Sequence, residues 1–394
     1  MVKGHADDPS PVKTPFATSP DVAFFMPKIF TDLSIYKDKS MNQIAPINPP
    51  QRPHFPISNE SNESNTAAKR TVTAKRLANT KNMDYQEWLE VRKQGIGSSD
   101  AATACGLNPY MSMLELWMIK TGRTQQNVDD DSSGVAPLYW GKQLEPLVAE
   151  YYSLHTNNKV RRVNAVLQHP DPDKAFMLAN LDYAVVGSDE VQILECKTAG
   201  EHGARLWRDG VPLYVLCQVQ HQLAVTGKQA AHVCVLICGH ETKIFKVSRS
   251  ESVIQHIIQA EHYFWECVET DTPPSVDASE SAAKAIQQLY PAHIPLSVED
   301  LSQNENANLM FDQLIKMKEE IQHKQERFDQ LKHHIQMLMK DAERAVFSRG
   351  SVVWKKAKDS ISLNTKALLQ HQPELIELYP LQKQGSRRFY IYTD

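Results

Sequence analysis

Two short runs of alternating apolar residues, 176–186 and 191–197, flank the turn signal Gly187-Ser188-Asp189-Glu190. Alternation is the period of a half-buried strand, so the two runs predict a β-hairpin. If its loop is even-numbered and centred between residues 188 and 189, paired positions sum to 377, which sets Asp182 directly opposite Glu195. Cβ atoms so opposed lie only about 4.5–5.5 Å apart, where like charges repel. Something must compensate, and a divalent cation held between the carboxylates would do so. A bulge in either strand would break the inference.

Lys197 follows Glu195 by two residues and therefore shares its face of the strand. An ammonium there can orient or deprotonate an attacking water, or stabilise charge on a phosphate. Mg²⁺ prefers oxygen ligands and keeps several waters, so Asp182, Glu195, the backbone carbonyl of Cys196 and waters would suffice, with Mn²⁺ as a substitute. A lone Glu-x-Lys usually marks a solvated strand edge. The opposed aspartate is what raises its weight.

Other segments offer further polar groups. Glu145 lies beside the apolar stripe Trp140, Leu144, Leu147, Val148 and Tyr151, which recurs at helical spacing; it either leans into the site or is an ordinary boundary glutamate. Gln218 and Gln222 stand one turn apart on a helical pattern that opens at Pro212 and closes at Gly227. Either glutamine could hold a water or a phosphate, although glutamines in such patterns are more often plain surface. Upstream, Gly95-Ile96-Gly97-Ser98-Ser99-Asp100 reads as a helix N-terminus, the kind of end that binds phosphate through free N–H groups. Arg92 sits a few residues before it, available for a charge-assisted pair with such an anion. A plain helix cap beside a surface arginine fits the local sequence equally well.

Ten of the 22 prolines precede residue 57, and a polar stretch follows them. Such a segment buries too little apolar surface to offset its ordering entropy, so residues 1–80 read as a largely disordered extension. Within it, Ala23 to Phe30 is an apolar knot, either a docking motif or a residual cluster, and Met41 and Met83 are alternative starts. Residues 81–275 read as an α/β domain, with strands at 231–238 and 242–247 and a helix at 251–268. Residues 276–345 read as a helical region in which Leu314, Ile321, Phe328 and Ile335 repeat every seven residues. Met317, Leu331 and Leu338 fill the interleaved seam, broken only by Lys324: a coiled-coil-like helix that either meets another chain or folds back on a helix near 282–289. Residues 346–394 read as a small β-containing unit ending in a strand-like 387–392.

The formal charge of −4 argues against coating nucleic acid by sheer basicity but not against a local basic groove. The six cysteines are scattered; Cys234 and Cys238 form a C-x3-C pair without a second pair, so reduced thiols are expected rather than zinc or iron–sulfur. No stretch has membrane-span length, and the N-terminus lacks a signal pattern, so a cytoplasmic protein is expected.

Taken in order, Trp88-Leu89-Glu90-Val91-Arg92, Gly95 to Asp100, Gly106-Leu107-Asn108-Pro109-Tyr110, Leu116-Trp117, Lys120-Thr121-Gly122, Trp140 to Glu145, Leu181-Asp182, Glu195-Cys196-Lys197 and Gln218-Val219-Gln220 form a series. This series resembles the YqaJ family of phage-type exonucleases, similar to the lambda-type exonuclease in the PD-(D/E)xK nuclease superfamily. The resemblance spans about residues 83–270, and more loosely the C-terminal region with Gly385-Ser386-Arg387-Arg388-Phe389. It implies a restriction-endonuclease-like mixed sheet flanked by helices. It also implies Asp182 and Glu195 as metal ligands with the Cys196 carbonyl, Lys197 as the catalytic lysine, Glu145 as an acidic residue near the metal, and Gln218 in support. Arg92 and Ser99, with Ser98 beside them, match positions that grip the 5′-phosphate of a DNA end. Leu181 stands where the superfamily's motif has proline. Such enzymes resect linear duplex DNA from the 5′ end, and some form rings and work with a single-strand annealing protein. A homo-oligomer is therefore considered, although the long helix makes a ring no safe assumption. An endonuclease with the same metal site, or a non-catalytic DNA-binding scaffold, are the alternatives.

Overall fold

A computed structural model describes residues 74–124, 137–381 and 385–393, together with Thr31 and Ser34. The chain divides into two compact units, Met1–Leu289 and Tyr290–Asp394.

In chain order, the strands of the first unit are β1 (Lys75–Asn79), β2 (Ile96–Gly97), β3 (Lys159–Arg162), β4 (Ala165–Gln168), β5 (Met177–Asn180), β6 (Tyr183–Val186), β7 (Ile193–Ala199), β8 (Ala230–Ile237) and β9 (Glu241–Ser248). Its main helices are α1 (Tyr85–Lys93), α2 (Ser98–Ala104), α3 (Met113–Lys120), α4 (Pro137–Thr156), α5 (Leu213–Thr226), α6 (Glu251–Glu269) and α7 (Glu280–Leu289). One sheet has the order β3-β6-β7-β8-β9, the other β1-β4-β5-β2. β7 and β8 run parallel, as do β2 and β5, and the remaining pairs are antiparallel. The fold is thus mixed α/β, with mixed sheets flanked by helices, in line with the expected class.

Parallel neighbours need a crossover, and α5 supplies it between β7 and β8. Pro212 caps its start, and Gly227 ends it with φ 68°, a left-handed conformation that suits glycine. Most of α5 is buried, packed against α2, β5 and α6. The run of eight residues in β8 is apolar almost throughout because both faces are covered. Ala231, Val233, Val235 and Ile237 join the core that contains α5, while Ala230 and Cys234 join Val148, Ala149 and Tyr152 of α4 on the other face.

Several expectations are corrected here. Residues 75–79, assigned to the disordered extension, form β1 and pair with β4. The knot Ala23–Phe30 lies outside the described residues. The run 176–186 is not one strand: β5 and β6 belong to different sheets, and the chain passes between them at Leu181-Asp182. The buried face of α4 is Val148, Ala149 and Tyr152, whereas Trp140 and Leu147 are more than half exposed. The stripe that includes Trp140 and Leu147 lies one notch around the helix from this buried face, because apolar residues there also occupy solvent positions.

The second unit holds the long helix α8 (Glu305–Met339), capped by Asn304 through the Ala307 N–H at 3.0 Å. A hairpin of β10 (Arg344–Phe347) and β11 (Gly350–Val353) follows, then the short helix α9 (Thr365–His371). Residues 387–392, expected as a strand, carry none. No described helix is long and apolar enough to cross a membrane.

Candidate functional site

β7 sends its odd-numbered side chains toward α5, since Ile193 lies in the core shared with that helix and alternation carries Glu195 and Lys197 to the same face. The β6–β7 ladder pairs Tyr183 with Leu194 and Ala184 with Ile193, the register expected from the turn. Asp182 sits one residue before the first of these pairs. Its carboxylate turns to accept the backbone N–H of Cys196 at 2.8 Å.

Glu195 is 2% exposed and both its oxygens are engaged. Oε1 receives Lys197 Nζ at 2.6 Å and Gln218 Nε2 at 2.6 Å, and Oε2 receives Gln222 Nε2 at 2.7 Å. Lys197 also donates to Gln218 Oε1 at 3.0 Å. Gln218 and Gln222 are thus neither of them free surface residues; spacing along α5 brings both onto one carboxylate. Glu145 lies one turn before Val148 and Ala149 and so on the buried face of α4. Its Oε1 stands 3.2 Å from Arg162 Nη2 of β3. Arg162 carried no signal in the sequence, because only the β3–β6 pairing brings it here.

The electrostatics point the same way. Burial raises the Asp182 carboxyl well above the usual range, and the nearby Glu195 and Glu145 carboxylates add to this against Lys197 and the Cys196 N–H. Burial also raises Glu145, with Arg162 opposing. For Lys197, burial alone would lower the ammonium's pKa, but Glu195 and Asp182 outweigh it and the net shift is upward. Three carboxylates thus crowd a single lysine, with Arg162 at the flank of Glu145.

Among the described residues no group of three or more His, Cys, Asp or Glu side chains is arranged to hold a metal as it stands. The donors nonetheless fit a hard cation. Oε1 of Gln222 is buried with no hydrogen-bond partner, and Oε1 of Glu145 is buried with only the 3.2 Å ion-pair contact to Arg162. Both are oxygens, the ligand type such a cation takes, beside carboxylates that repel one another.

The YqaJ-like viral recombinase domain profile matches residues 87–229, a span that contains every one of these side chains. The uncharacterized protein YqaJ of Bacillus subtilis (strain 168) is 34% identical over 313 residues, covering 78% of this chain and 95% of its own. The chain belongs to the YqaJ-like viral recombinase family. Among solved structures, an alkaline exonuclease (LHK-Exo) from Laribacter hongkongensis is 21% identical at a TM-score of 0.39, covering 47% of this chain and 93% of its own. A phage related exonuclease from Haemophilus somnus 129PT is 9% identical at a TM-score of 0.29, covering 45% and 96%.

This YqaJ-like chain has a second cluster at the start of α2. Arg92 is buried, lies over the Trp88 ring at 4.8 Å, and donates to Ser99 Oγ at 2.8 Å. It also pairs with Asp100, whose other oxygen takes Lys120 Nζ at 2.8 Å. Burial would raise the Asp100 carboxyl, but Arg92 and Lys120 hold it far below the usual carboxylate range. Lys120, which also donates to the Arg92 carbonyl, is lowered by burial against the pull of Asp100. Ser99 is exposed, while Ser98 is buried and reaches the Asn180 carbonyl at 3.4 Å. In the sequence Asp100 and Lys120 stand out only as parts of the motif series. Their burial is the signal that marks them, and sequence does not show burial for a lysine. The open space against this cluster, lined by Arg92, Asp100, Lys120 and Lys93, is about 180 Å³.

Proposed function

We propose that this chain is a Mg²⁺-dependent deoxyribonuclease, Mn²⁺ substituting, that resects linear duplex DNA from its 5′ ends and so prepares single strands for annealing-based recombination. The observation that carries this reading is the buried Glu195, bound to Lys197, Gln218 and Gln222 beside the raised Asp182. Asp182, Glu195 and the Cys196 carbonyl would hold the cation, with Glu145 at its flank. Bound there, Mg²⁺ would supply Lewis-acid stabilisation of the phosphate and a more acidic water.

The chain's own groups do the rest. Lys197, paired with Glu195, is placed to orient or deprotonate an attacking water or to neutralise charge on the phosphate. Gln218 holds the ammonium through the 3.0 Å contact while bound to the same Glu195 oxygen. Gln222 keeps Oε2 of Glu195 aimed into the site. Arg92, Ser98 and Ser99 are the groups assigned to the 5′-phosphate of the DNA end. Duplex ends and a single-strand annealing protein are the partners this reading calls for. An endonuclease is the second reading, favoured by one observation: the Arg92 guanidinium already has Asp100 as its counter-ion.

The test is digestion of linear and covalently closed circular duplex DNA, 5′-phosphorylated and end-labelled, with Mg²⁺ or with chelator. Mg²⁺-dependent loss of linear DNA alone, with mononucleotides leaving the 5′ end, is the expected result. Cutting of the circle moves the assignment to the endonuclease. Cutting of neither substrate overturns the nuclease and leaves a scaffold role.

A further inference from the structure

α8 is 35 residues long, about 52 Å at the usual rise of an α-helix. Its seven-residue seam lies on the surface: Ile321 is 68% exposed and Phe328 61%. A helix that presents so long an apolar stripe to water has a partner in view, and the charges beside the seam say which.

In a parallel pair of α8 helices, Lys324 would meet its own copy in the seam. Arg327, just before the seam residue Phe328, would face Lys332 five residues on in the second copy. Both contacts set like charges together. In an antiparallel pair with full overlap, facing positions sum to 645, so Leu314 meets Leu331, Phe328 meets Met317 and Ile321 meets Lys324. The same arrangement places Glu320 within two residues of the level of Arg327 on the same flank of the second copy, and symmetry repeats the contact. Glu320 is also one residue from the level of Lys324, within reach of its ammonium. Lys324 is then parted from its own copy and faces Ile321, and the flanking charges become complementary.

We propose that α8 pairs with α8 of a second copy of this chain as an antiparallel two-stranded coiled coil, with Glu320 facing Arg327 across the seam. The chain would then enter the rod at opposite ends in the two copies, about 50 Å apart. This is a different assembly from a ring.

The test is sedimentation equilibrium of the full chain without DNA, so its outcome is independent of the nuclease reading. A dimer is expected at low micromolar concentration. Arg327→Glu sets two glutamates together at each flank and should weaken the dimer about tenfold, while Glu320→Arg combined with Arg327→Glu restores it. Lys324→Leu removes an ammonium from the seam and should tighten the dimer by more than about tenfold. Circular dichroism checks that each variant remains folded. A chain that is monomeric at tens of micromolar would overturn the proposal and give the seam to another protein. So would a dimer that Arg327→Glu tightens, since that is the parallel pair, or one that neither Arg327→Glu nor Lys324→Leu changes.

Discussion

Gln222 and Glu195 are bound side chain to side chain, the amide Nε2 donating to the carboxylate Oε2 over 2.7 Å, and neither residue reaches solvent to any extent. The glutamine is 27 residues further along the chain, on the crossover helix rather than the strand. Truncating it would leave one oxygen of a buried carboxylate unsatisfied. Gln222→Ala should therefore cost about 1–3 kcal/mol of stability, read from the urea midpoint. It should also reduce cleavage, because the carboxylate is no longer aimed. Wild-type cleavage at reduced stability would confine Gln222 to a structural role.

Glu195→Gln and Lys197→Ala should each lower cleavage by about 10²–10⁴-fold or more while the thermal transition stays cooperative. Full activity in both purified variants would remove the assigned site. In Glu195→Gln the Asp182 carboxyl should also titrate lower than in the native chain, because one of the charges that raises it is gone. Carboxyl NMR of the metal-free protein reads that shift directly.

Arg92 is a poor residue with which to test a phosphate pocket, since it is also the counter-ion of the buried Asp100. Removing one partner of a buried ion pair costs about 3–5 kcal/mol, less here because Lys120 remains. Ser99 is exposed, and its hydroxyl touches the same guanidinium at 2.8 Å. Ser99→Ala should raise KM for 5′-phosphorylated ends and leave unphosphorylated ends unchanged. An equal effect on both kinds of end would sink the pocket.

His232, paired with Leu194 on the strand beside that of Glu195, predicts a pH dependence on the opposite face of the sheet from the Glu195 side chain. Its Nδ1 pairs with the Tyr152 hydroxyl at 2.8 Å, its Nε2 is buried without a partner, and burial lowers its pKa to about 4. The unfolded chain binds the proton more readily, so stability is present above about pH 6.5 and is lost as pH falls toward 4. The loss amounts to about 3 kcal/mol at full burial. Urea midpoints measured from pH 7 to pH 4 should fall in the native chain, and His232→Gln should flatten that slope. An unchanged slope would assign the acid loss to other groups.

What the sequence determined by itself was local. Pro212 and Gly227 bound α5 because one lacks an N–H and the other tolerates a positive φ. The turn at residues 187–190 set the register of β6 on β7, because side chains alternate strictly and a slip of one would expose the core face. The seven-residue repeat of α8 was legible for the same reason, being a period written in consecutive residues. Tertiary structure decided what distance along the chain conceals. Only the change of sheet at Leu181-Asp182 turns the aspartate onto the Cys196 N–H, and only the packing of α5 on β7 makes Gln222 a partner of Glu195. Burial of Arg92, Asp100 and Lys120 together is likewise invisible in the sequence, because a lysine reads as surface until its neighbours are known. Patterns with a short period are fixed by steric rules within a few bonds. Charges meet through packing that no period records.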